Sequence, residues 1–256
     1  MLLAIDVGNT ETKLGCFETG DGPLCSRWRV TTDLARTPDE YGVFFTQLFA
    51  TGGIDAASID RVVIASVVPK LDPVLQSVCE RFFDAAPRFL KPETQALIPI
   101  ATERPAEVGA DLVAAAIGGR ARFGAPLIVI SFGTATVYIA ISPIGEYLGV
   151  AIAPGIAISI DALFGRTAKL PQVALEMPQH AIGRNTNEAL QSGIVYGFAG
   201  QTDAIVARIR AELGVPAKVV ATGGLAETFA KQTPVIDAVE QNLSLFGLQI
   251  FARAPA

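Results

Sequence analysis

Histidine is almost absent from this sequence, and cysteine is scarce. His180 is the only histidine among 256 residues, and the three cysteines are Cys16, Cys25 and Cys79. A single histidine excludes a metal site built from several histidines, and a Ser-His-Asp triad would have to use His180, which we expect in a solvated loop. The cysteines are odd in number and none has Cys-x-x-Cys spacing, which argues against a disulfide framework and a zinc site and favours a reducing cytoplasm.

An excess of positive charge is also missing. The chain has 20 Lys and Arg residues against 25 Asp and Glu, a formal net charge of −5, so it lacks the basic footprint of a nucleic-acid-binding protein. The first residues, MLLAID, lack the basic segment of a secretory signal. The uncharged run at residues 127–144 contains Gly133, Pro143 and many β-branched residues, which indicates buried strands rather than a membrane span. We therefore expect a cytoplasmic protein that binds neither nucleic acid nor membranes.

Aromatic residues make up only 7% of a sequence that is half hydrophobic, so its apolar content is mostly small aliphatic side chains. This composition favours an α/β fold of helices layered on sheets. Apolar runs and helical spacing predict a hairpin at residues 2–17, helix 41–49, strand 61–68, helix 74–83, strands 127–130, 137–141 and 147–152, helices 158–164 and 187–213, strand 218–221 and helix 225–231. Both halves open with an apolar strand, a Gly/Thr turn and a second strand. We predict two related domains, 1–119 and 120–256, divided near the Gly, Arg and Ala cluster at 118–124.

A Gly-Asn-Thr turn follows the first predicted strand directly, within residues 6–13 (DVGNTETK). The backbone N–H groups and hydroxyls of such a turn can bind an anion, while Asp6 at the strand end can hold a metal ion directly or through water. A plain β-hairpin whose turn uses Gly-Asn explains the same residues equally well. The motif alone leaves both interpretations open.

The second half carries two further glycine motifs, at residues 131–136 (SFGTAT) and 219–226 (VVATGGLA). The first lies at the point equivalent to the N-terminal turn. Two such turns can face one another across a cleft, which favours a phosphate site over ordinary turns. Gly223 and Gly224 would let the backbone approach a flat ligand such as adenine or its ribose, although a strand-to-helix turn also accounts for them.

The order and spacing of these motifs resemble those of the type III pantothenate kinases, a family of the actin, hexokinase and acetate-kinase superfamily. The matching segments extend over nearly the whole chain. They are residues 6–10 (DVGNT), 65–69 (ASVVP), 105–111 (PAEVGAD), 132–136 (FGTAT), 145–149 (GEYLG), 153–155 (APG), 169–171 (KLP), 183–186 (GRNT) and 221–225 (ATGGL).

The resemblance implies two actin-like, or ribonuclease H-like, domains with mixed central sheets flanked by helices. It also implies ATP-dependent phosphorylation of pantothenate at its primary hydroxyl, the first step of coenzyme A biosynthesis, by a homodimer that uses Mg²⁺ and a monovalent cation, K⁺ or NH₄⁺. By resemblance, Asp111 is the catalytic base and Asp6 holds Mg²⁺. The residues implied to bind ATP are Asp6, Val7, Gly8, Asn9, Thr10, Glu11, Thr12, Lys13, Thr134, Gly223 and Gly224. Those implied to bind pantothenate are Gly109, Ala110, Asp111, Leu112 and Thr186.

Two of these residues also have purely structural explanations. Asp111 precedes a helix-forming run, VAAA at 113–116, and so can be an N-cap. Both roles are compatible, because a helix N-terminus is a favourable place for a group that faces an anionic ligand. Asn185 precedes Glu188 by three residues, which is capping-box spacing, so Thr186 can be no more than the first residue of a helix.

Three positions differ from the family pattern. Leu112 replaces an arginine suited to the carboxylate of pantothenate, and Ser131 replaces the aspartate that binds the monovalent cation. Thr102 stands where a tyrosine is expected. Three hypotheses remain: a pantothenate kinase with altered cation demand, a weak or silent nucleotide-binding homologue with a regulatory role, and a kinase of the same fold for another small hydroxylated substrate.

Overall fold

The computed structural model describes residues 1–165 and 173–255. Within them the chain forms two compact units, one made of Met1–Arg122 with Asn242–Ala256 and the other of Phe123–Gln241. The junction after residue 122 lies close to the predicted division at 119 and 120, but residues 242–256 join the first unit rather than the second. The KLP motif at 169–171 lies outside the described residues.

Both units combine one sheet with flanking helices. The strands in the described residues are β1 (Leu2–Val7), β2 (Glu11–Phe17), β3 (Leu24–Thr31), β4 (Arg61–Ser66), β5 (Pro87–Phe89), β6 (Leu127–Phe132), β7 (Ala135–Ile141), β8 (Tyr147–Pro154), β9 (Lys218–Gly223) and β10 (Ala238–Val239). The helices are α1 (Pro38–Thr51), α2 (Asp72–Phe82), α3 (Ala110–Phe123), α4 (Ile156–Gly165), α5 (Thr186–Leu213), α6 (Ala226–Ala230) and α7 (Leu243–Phe251). No helix in this part of the chain is long and apolar enough to cross a membrane.

The first unit is built on a five-stranded sheet in the order β3-β2-β1-β4-β5. β1 pairs antiparallel with β2 and parallel with β4, and this register places Asp6 opposite Lys13. All six residues of β1 are buried, as expected for an apolar central strand covered on both faces. α1, which begins at a capping box between Thr37 and Glu40, packs Phe45 and Phe49 into the core on one face of this sheet.

Helix α7 covers β1 and packs closely on α3. It contacts β1, β2 and β4, and a Cβ built on Gly15 of β2 would lie 3.0 Å from the Leu245 side chain. Gly118 of α3 lies against the Leu243 carbonyl, and Gly247 of α7 lies against the Ala114 carbonyl, with no room for a Cβ at either glycine. The predicted boundary region at 118–124 contains the observed junction after Arg122. It lies in the last turns of α3, which continues to Phe123, and Gly118 serves close helix packing there.

The second unit repeats the same arrangement. Its sheet has the order β10-β9-β6-β7-β8, with β6 antiparallel to β7 and parallel to β9. This central order matches that of β2, β1 and β4 in the first unit. The core on one face stacks Phe132 on Phe229, with Phe198 meeting Phe229 edge to face. Two mixed five-stranded sheets flanked by helices confirm the predicted fold class.

Candidate active site

The hairpin turn between β1 and β2 brings a buried carboxylate against a lysine. Lys13 Nζ lies 3.1 Å from Asp6 Oδ2, and Asp6 is only 4% exposed. The negative charge of Asp6 raises the pKa of Lys13 although burial acts in the opposite direction. Lys13 therefore carries a fixed positive charge beside an exposed turn, which is the arrangement expected where a phosphate binds.

The β1–β2 turn is held by a hydrogen bond within its own backbone and by Thr32, the residue that follows β3. The Gly8 N–H donates to the Glu11 carbonyl at 3.0 Å, and a Cβ on Gly8 would lie 2.9 Å from that oxygen, so the turn requires glycine here. Thr32 donates to the Gly8 carbonyl at 2.7 Å, and its hydroxyl lies 2.9 Å from the hydroxyl of Thr12. Asn9 and Thr10 are exposed at the tip. The predicted phosphate motif is thus an ordered turn.

Asp111 lies in the first turn of α3 and shares an electrostatic environment with this pair. Burial, followed by the charge of Asp6, raises the pKa of Asp111 to about 6, while the Leu112 N–H and the charge of Lys13 oppose the shift. Asp111 Oδ1 accepts from the Leu112 N–H at 2.8 Å. The N-cap alternative is wrong in position, because α3 already begins at Ala110. A Cβ on Gly109 would lie 2.5 Å from Asp111 Oδ1, which explains the glycine in this motif.

Two substituted positions of the first unit lack the polar contacts that the family pattern predicts. Leu112 is half-buried beside Gly109 and adds no hydrogen-bond donor from its side chain. The hydroxyl of Thr102 is buried without a hydrogen-bond partner in the described residues. A buried hydroxyl with no partner is unfavourable by about 1–3 kcal/mol, so Thr102 is a polar group that this part of the structure leaves unsatisfied.

The two glycine motifs of the second unit lie side by side across β6 and β9. Ser131 pairs with Thr222, and Phe132 pairs with Gly223. Gly223 has a φ of +96° and lies against the Phe132 backbone, so only glycine fits. Thr134 is exposed in the β6–β7 turn, whose backbone lies directly against Gly155. Gly224 is exposed immediately after Gly223. At the position that the resemblance assigns to a monovalent cation, Ser131 and the neighbouring Thr222 supply hydroxyl groups and no carboxylate.

Two more predicted residues of the second unit, Thr186 and His180, lie on its surface. Asn185 caps α5 by accepting from the Glu188 N–H at 3.0 Å, and Thr186 is the exposed first residue of that helix. His180 is exposed, as predicted for a solvated loop. Thr186 belongs to the second unit, whereas Gly109, Ala110 and Leu112 belong to the first.

A residue that the sequence did not indicate completes the surroundings of Asp6. Ser244 of α7 donates to Asp6 Oδ2 at 2.6 Å, and its own exposure is 5%. It lies 238 positions from Asp6 and belongs to no motif, so only the tertiary structure identifies it. Thr32 was missed for the same reason.

The donor set fits a magnesium ion held chiefly by phosphate. The described residues contain no cluster of three or more His, Cys, Asp or Glu side chains able to hold a metal. Lys13 and Ser244 both donate to Oδ2 of Asp6, so a cation would be expected at the other carboxylate oxygen, Oδ1. Mg²⁺ in nucleotide sites is commonly held by one or two carboxylates together with substrate phosphates.

Comparison with known proteins identifies the family of this chain. The family model described as type III pantothenate kinase matches residues 2–208. The type III pantothenate kinase of Myxococcus xanthus is 49% identical over 250 residues, which is 98% of this chain and 97% of that protein. The enzyme of the same name from Moorella thermoacetica is 48% identical over 250 residues, with 98% of each chain covered.

Solved structures with low identity share the fold. The activator of 2-hydroxyisocaproyl-CoA dehydratase from Clostridium difficile, with bound ADPNP, has a TM-score of 0.60 at 13% identity and covers 98% of this chain and 93% of its own. A protein assigned as a 2-dehydro-3-deoxygalactonokinase from Sinorhizobium meliloti has a TM-score of 0.61 at 12% identity. The match covers 99% of this chain and 98% of that protein. These likenesses concern the fold alone. The family match and the identity to whole enzymes show that this chain belongs to the type III pantothenate kinase family, whose members are ATP-dependent kinases of a small molecule.

Proposed function

We propose that this chain transfers the γ-phosphoryl group of ATP to the primary hydroxyl of pantothenate, the first step of coenzyme A biosynthesis. The observation that carries the proposal is Asp111, whose pKa is raised to about 6 by burial and by Asp6. A carboxylate with a pKa near the working pH is a more effective general base than an ordinary aspartate. Asp111 would accept the proton of the hydroxyl as the oxygen attacks phosphorus.

In the first unit, phosphate groups of ATP would bind at the turn of residues 6–13. Thr134 of the second unit is a further phosphate contact that the family resemblance implies. Lys13 supplies a positive charge held in place by Asp6, and the exposed tip of the turn supplies backbone N–H groups. Asp6 would hold Mg²⁺ through Oδ1, and the ion when bound neutralises charge on the β- and γ-phosphates. Gly223 and Gly224 would admit the adenosine to close backbone contact.

In the first unit, pantothenate would contact Gly109, Ala110 and Leu112. Thr186 of the second unit is a further substrate contact that the family resemblance implies. The Leu112 side chain cannot donate to a carboxylate, so pantothenate would bind more weakly than with an arginine there, by the ~10- to 100-fold of one charge-assisted hydrogen bond. Ser131 and Thr222 offer only neutral oxygens, so any K⁺ or NH₄⁺ would be held weakly.

A homodimer is part of the proposal. The outer face of the edge strand β8 exposes Leu148, Val150 and Ile152, the last 67% exposed, in strict alternation. We call these three residues the β8 stripe. α4 adds exposed Ile158 and Leu163. Exposed apolar side chains grouped on one strand face, as in the β8 stripe, are typical of protein interfaces. We also propose that the enzyme acts in the cytoplasm, where free thiols such as those of Cys16, Cys25 and Cys79 are kept reduced.

The test is turnover combined with ligand binding. Purified protein with ATP and Mg²⁺ should phosphorylate pantothenate, and Asp111→Asn should lower the rate by the ~10²- to 10⁴-fold typical of a lost general base. Calorimetry should show that Asp6→Ala and Thr134→Val weaken binding of ATP with Mg²⁺. Equal binding by wild type and both variants would remove the phosphate-site assignment.

A second candidate function is phosphorylation of another small hydroxylated molecule. Leu112 and the unsatisfied hydroxyl of Thr102 favour it, because both change the polarity of the first unit's site relative to the family pattern. A panel of small alcohols lacking a carboxylate should then give higher kcat/KM than pantothenate. ATP binding without turnover on any of them would instead indicate a silent, regulatory homologue.

A further inference from the structure

The hydroxyl of Ser244 makes the shortest side-chain contact to Asp6. Its oxygen lies 2.6 Å from Asp6 Oδ2, against 3.1 Å for Lys13 Nζ, and both Ser244 and Asp6 are almost fully buried. Hydrogen bonds to an ionised acceptor are roughly twice as strong as neutral ones. Ser244 lies beyond the last motif described above, which ends at residue 226, so no motif covers it.

The position of Ser244 is fixed by the packing of its helix. Ser244 is the second residue of α7, and seven of the nine residues of this helix are buried. Leu243 and Gly247 contact α3 backbone to backbone at Gly118 and Ala114. α3 is also the helix that carries Asp111 in its first turn. One packed helix pair therefore supports both carboxylates of the site.

We propose that Ser244 is a positioning residue that orients the Asp6 carboxylate for Mg²⁺ and ATP. Ser244 and Lys13 together occupy Oδ2, so Oδ1 is directed to the ligand. Without the hydroxyl, Asp6 is held by the lysine alone and its carboxylate can turn to place both oxygens near Nζ, which removes an oxygen from the cation. The inference rests on the proposed role of Asp6 as the magnesium ligand.

The decisive experiment compares variants at two positions of the same helix. Ser244→Ala and Ser244→Val remove the hydroxyl, whereas Ser244→Thr keeps it with the shape of valine. Gln249→Leu is the matched control, since Gln249 is buried in α7 and donates to the Gly22 carbonyl at 2.7 Å, a contact that does not involve Asp6. Each protein is measured by calorimetry with ATP in the presence and absence of Mg²⁺, and by thermal melting.

Ser244→Ala and Ser244→Val should weaken binding of ATP with Mg²⁺ about tenfold, the fold-change of one lost hydrogen bond to a charged group. They should change binding of ATP alone much less. Ser244→Thr should bind as wild type does, and Gln249→Leu should melt at a lower temperature with unchanged affinity. In steady-state kinetics, loss of the Ser244 hydroxyl should raise KM for ATP more than it lowers kcat.

The outcomes separate this inference from the function on which it rests. If Asp6→Ala weakens binding of ATP with Mg²⁺ but Ser244→Ala and Ser244→Val do not, the positioning role is wrong and the phosphate site stands. If Asp6→Ala has no effect, the phosphate site itself is wrong. If Ser244→Ala does not fold, the pair Ser244→Thr and Ser244→Val decides, and equal magnesium dependence in those two overturns the proposal.

Discussion

The carboxylate of Asp111 lies where ionisation is unfavourable, and its surroundings determine the pH range in which it can act. Burial and the neighbouring charge of Asp6 raise the pKa of Asp111 from an ordinary value of 3.8 to about 6. The protonated form is therefore favoured up to about pH 6, and above this pH the group is an ionised base. A proton acceptor of this kind is matched to a reaction near neutral pH.

The pH dependence of kcat/KM for pantothenate follows from this pKa. We expect kcat/KM to be constant from about pH 7 to 8 and to fall tenfold per pH unit below about pH 6, because protonated Asp111 cannot accept a proton. Steady-state rates between pH 5 and 8 give the profile. In Asp111→Asn the residual rate should lack this acidic limb. A wild-type profile that is flat down to pH 5 would contradict the assignment of Asp111 as base.

Restoring the family residues tests the two departures separately. Leu112→Arg should lower KM for pantothenate about tenfold with little change in kcat, because it adds a ground-state contact to the carboxylate. Ser131→Asp should make the rate depend on K⁺, because a carboxylate joins neutral hydroxyls at that position. Each variant is the control for the other, since each should alter only one of the two dependences.

At the level of single residues, the turn motif that contains Asp6 and Lys13 could be recognised in the sequence, and the structure shows a tight turn that requires Gly8. Asp111 and Gly109 were indicated only by the resemblance to the family, and the functional roles of all these residues stay predictions. Ser244 and Thr32 were not predictable, because a serine or threonine far along the chain acquires its partner only through the packing of α7 and β3.

At the level of elements, prediction succeeded for buried strands and amphipathic helices. The runs in β1, β4 and β6 are nearly continuous apolar segments, and the structure confirms them as central strands. α7 was missed for two reasons. Most sides of this helix are buried, so its sequence lacks the alternation of apolar and polar faces that marks an amphipathic helix. Gly247 also lowers the helix propensity of the segment. β3 was missed because it is an edge strand with alternating exposed residues such as Arg27 and Arg29.

Two helical glycines, one in the α3–α7 contact and one in α5, should respond in opposite ways to substitution by alanine. Gly247→Ala should destabilise the protein by about 2 kcal/mol or more, because its Cβ would meet the Ala114 backbone, which cannot move as a side chain can. Gly200→Ala should stabilise it by about 0.5–1 kcal/mol, because Gly200 lies inside α5 with open space around its Cβ position in the described residues. Denaturant unfolding measures both. A loss of stability on Gly200→Ala would contradict the prediction at that position.

For the whole molecule, the proposed homodimer is testable through the β8 stripe. Light scattering at micromolar concentration should give the mass of two chains. The double substitution Val150→Glu with Ile152→Glu should give a monomer, because paired carboxylates would be buried without partners in an apolar interface. Leu34→Glu, at a separate leucine that is 60% exposed in the first unit, is the control and should leave the dimer intact. A monomeric wild type would contradict the proposal.

The order in which a ribosome makes this chain sets the order in which its units can be completed. Residues 1–122 emerge first, yet the unit that they form lacks α7 until residues 242–251 have been made about 120 residues later, an interval on the order of 10 s. The second unit is continuous from 123 to 241 and has all its strands before that moment. The part synthesised first is therefore finished last, and until then β1 and Asp6 lack the helix that covers them. A nascent chain halted before α7 would carry a completed second unit and an open, apolar first sheet, the state in which chaperones would be expected to bind.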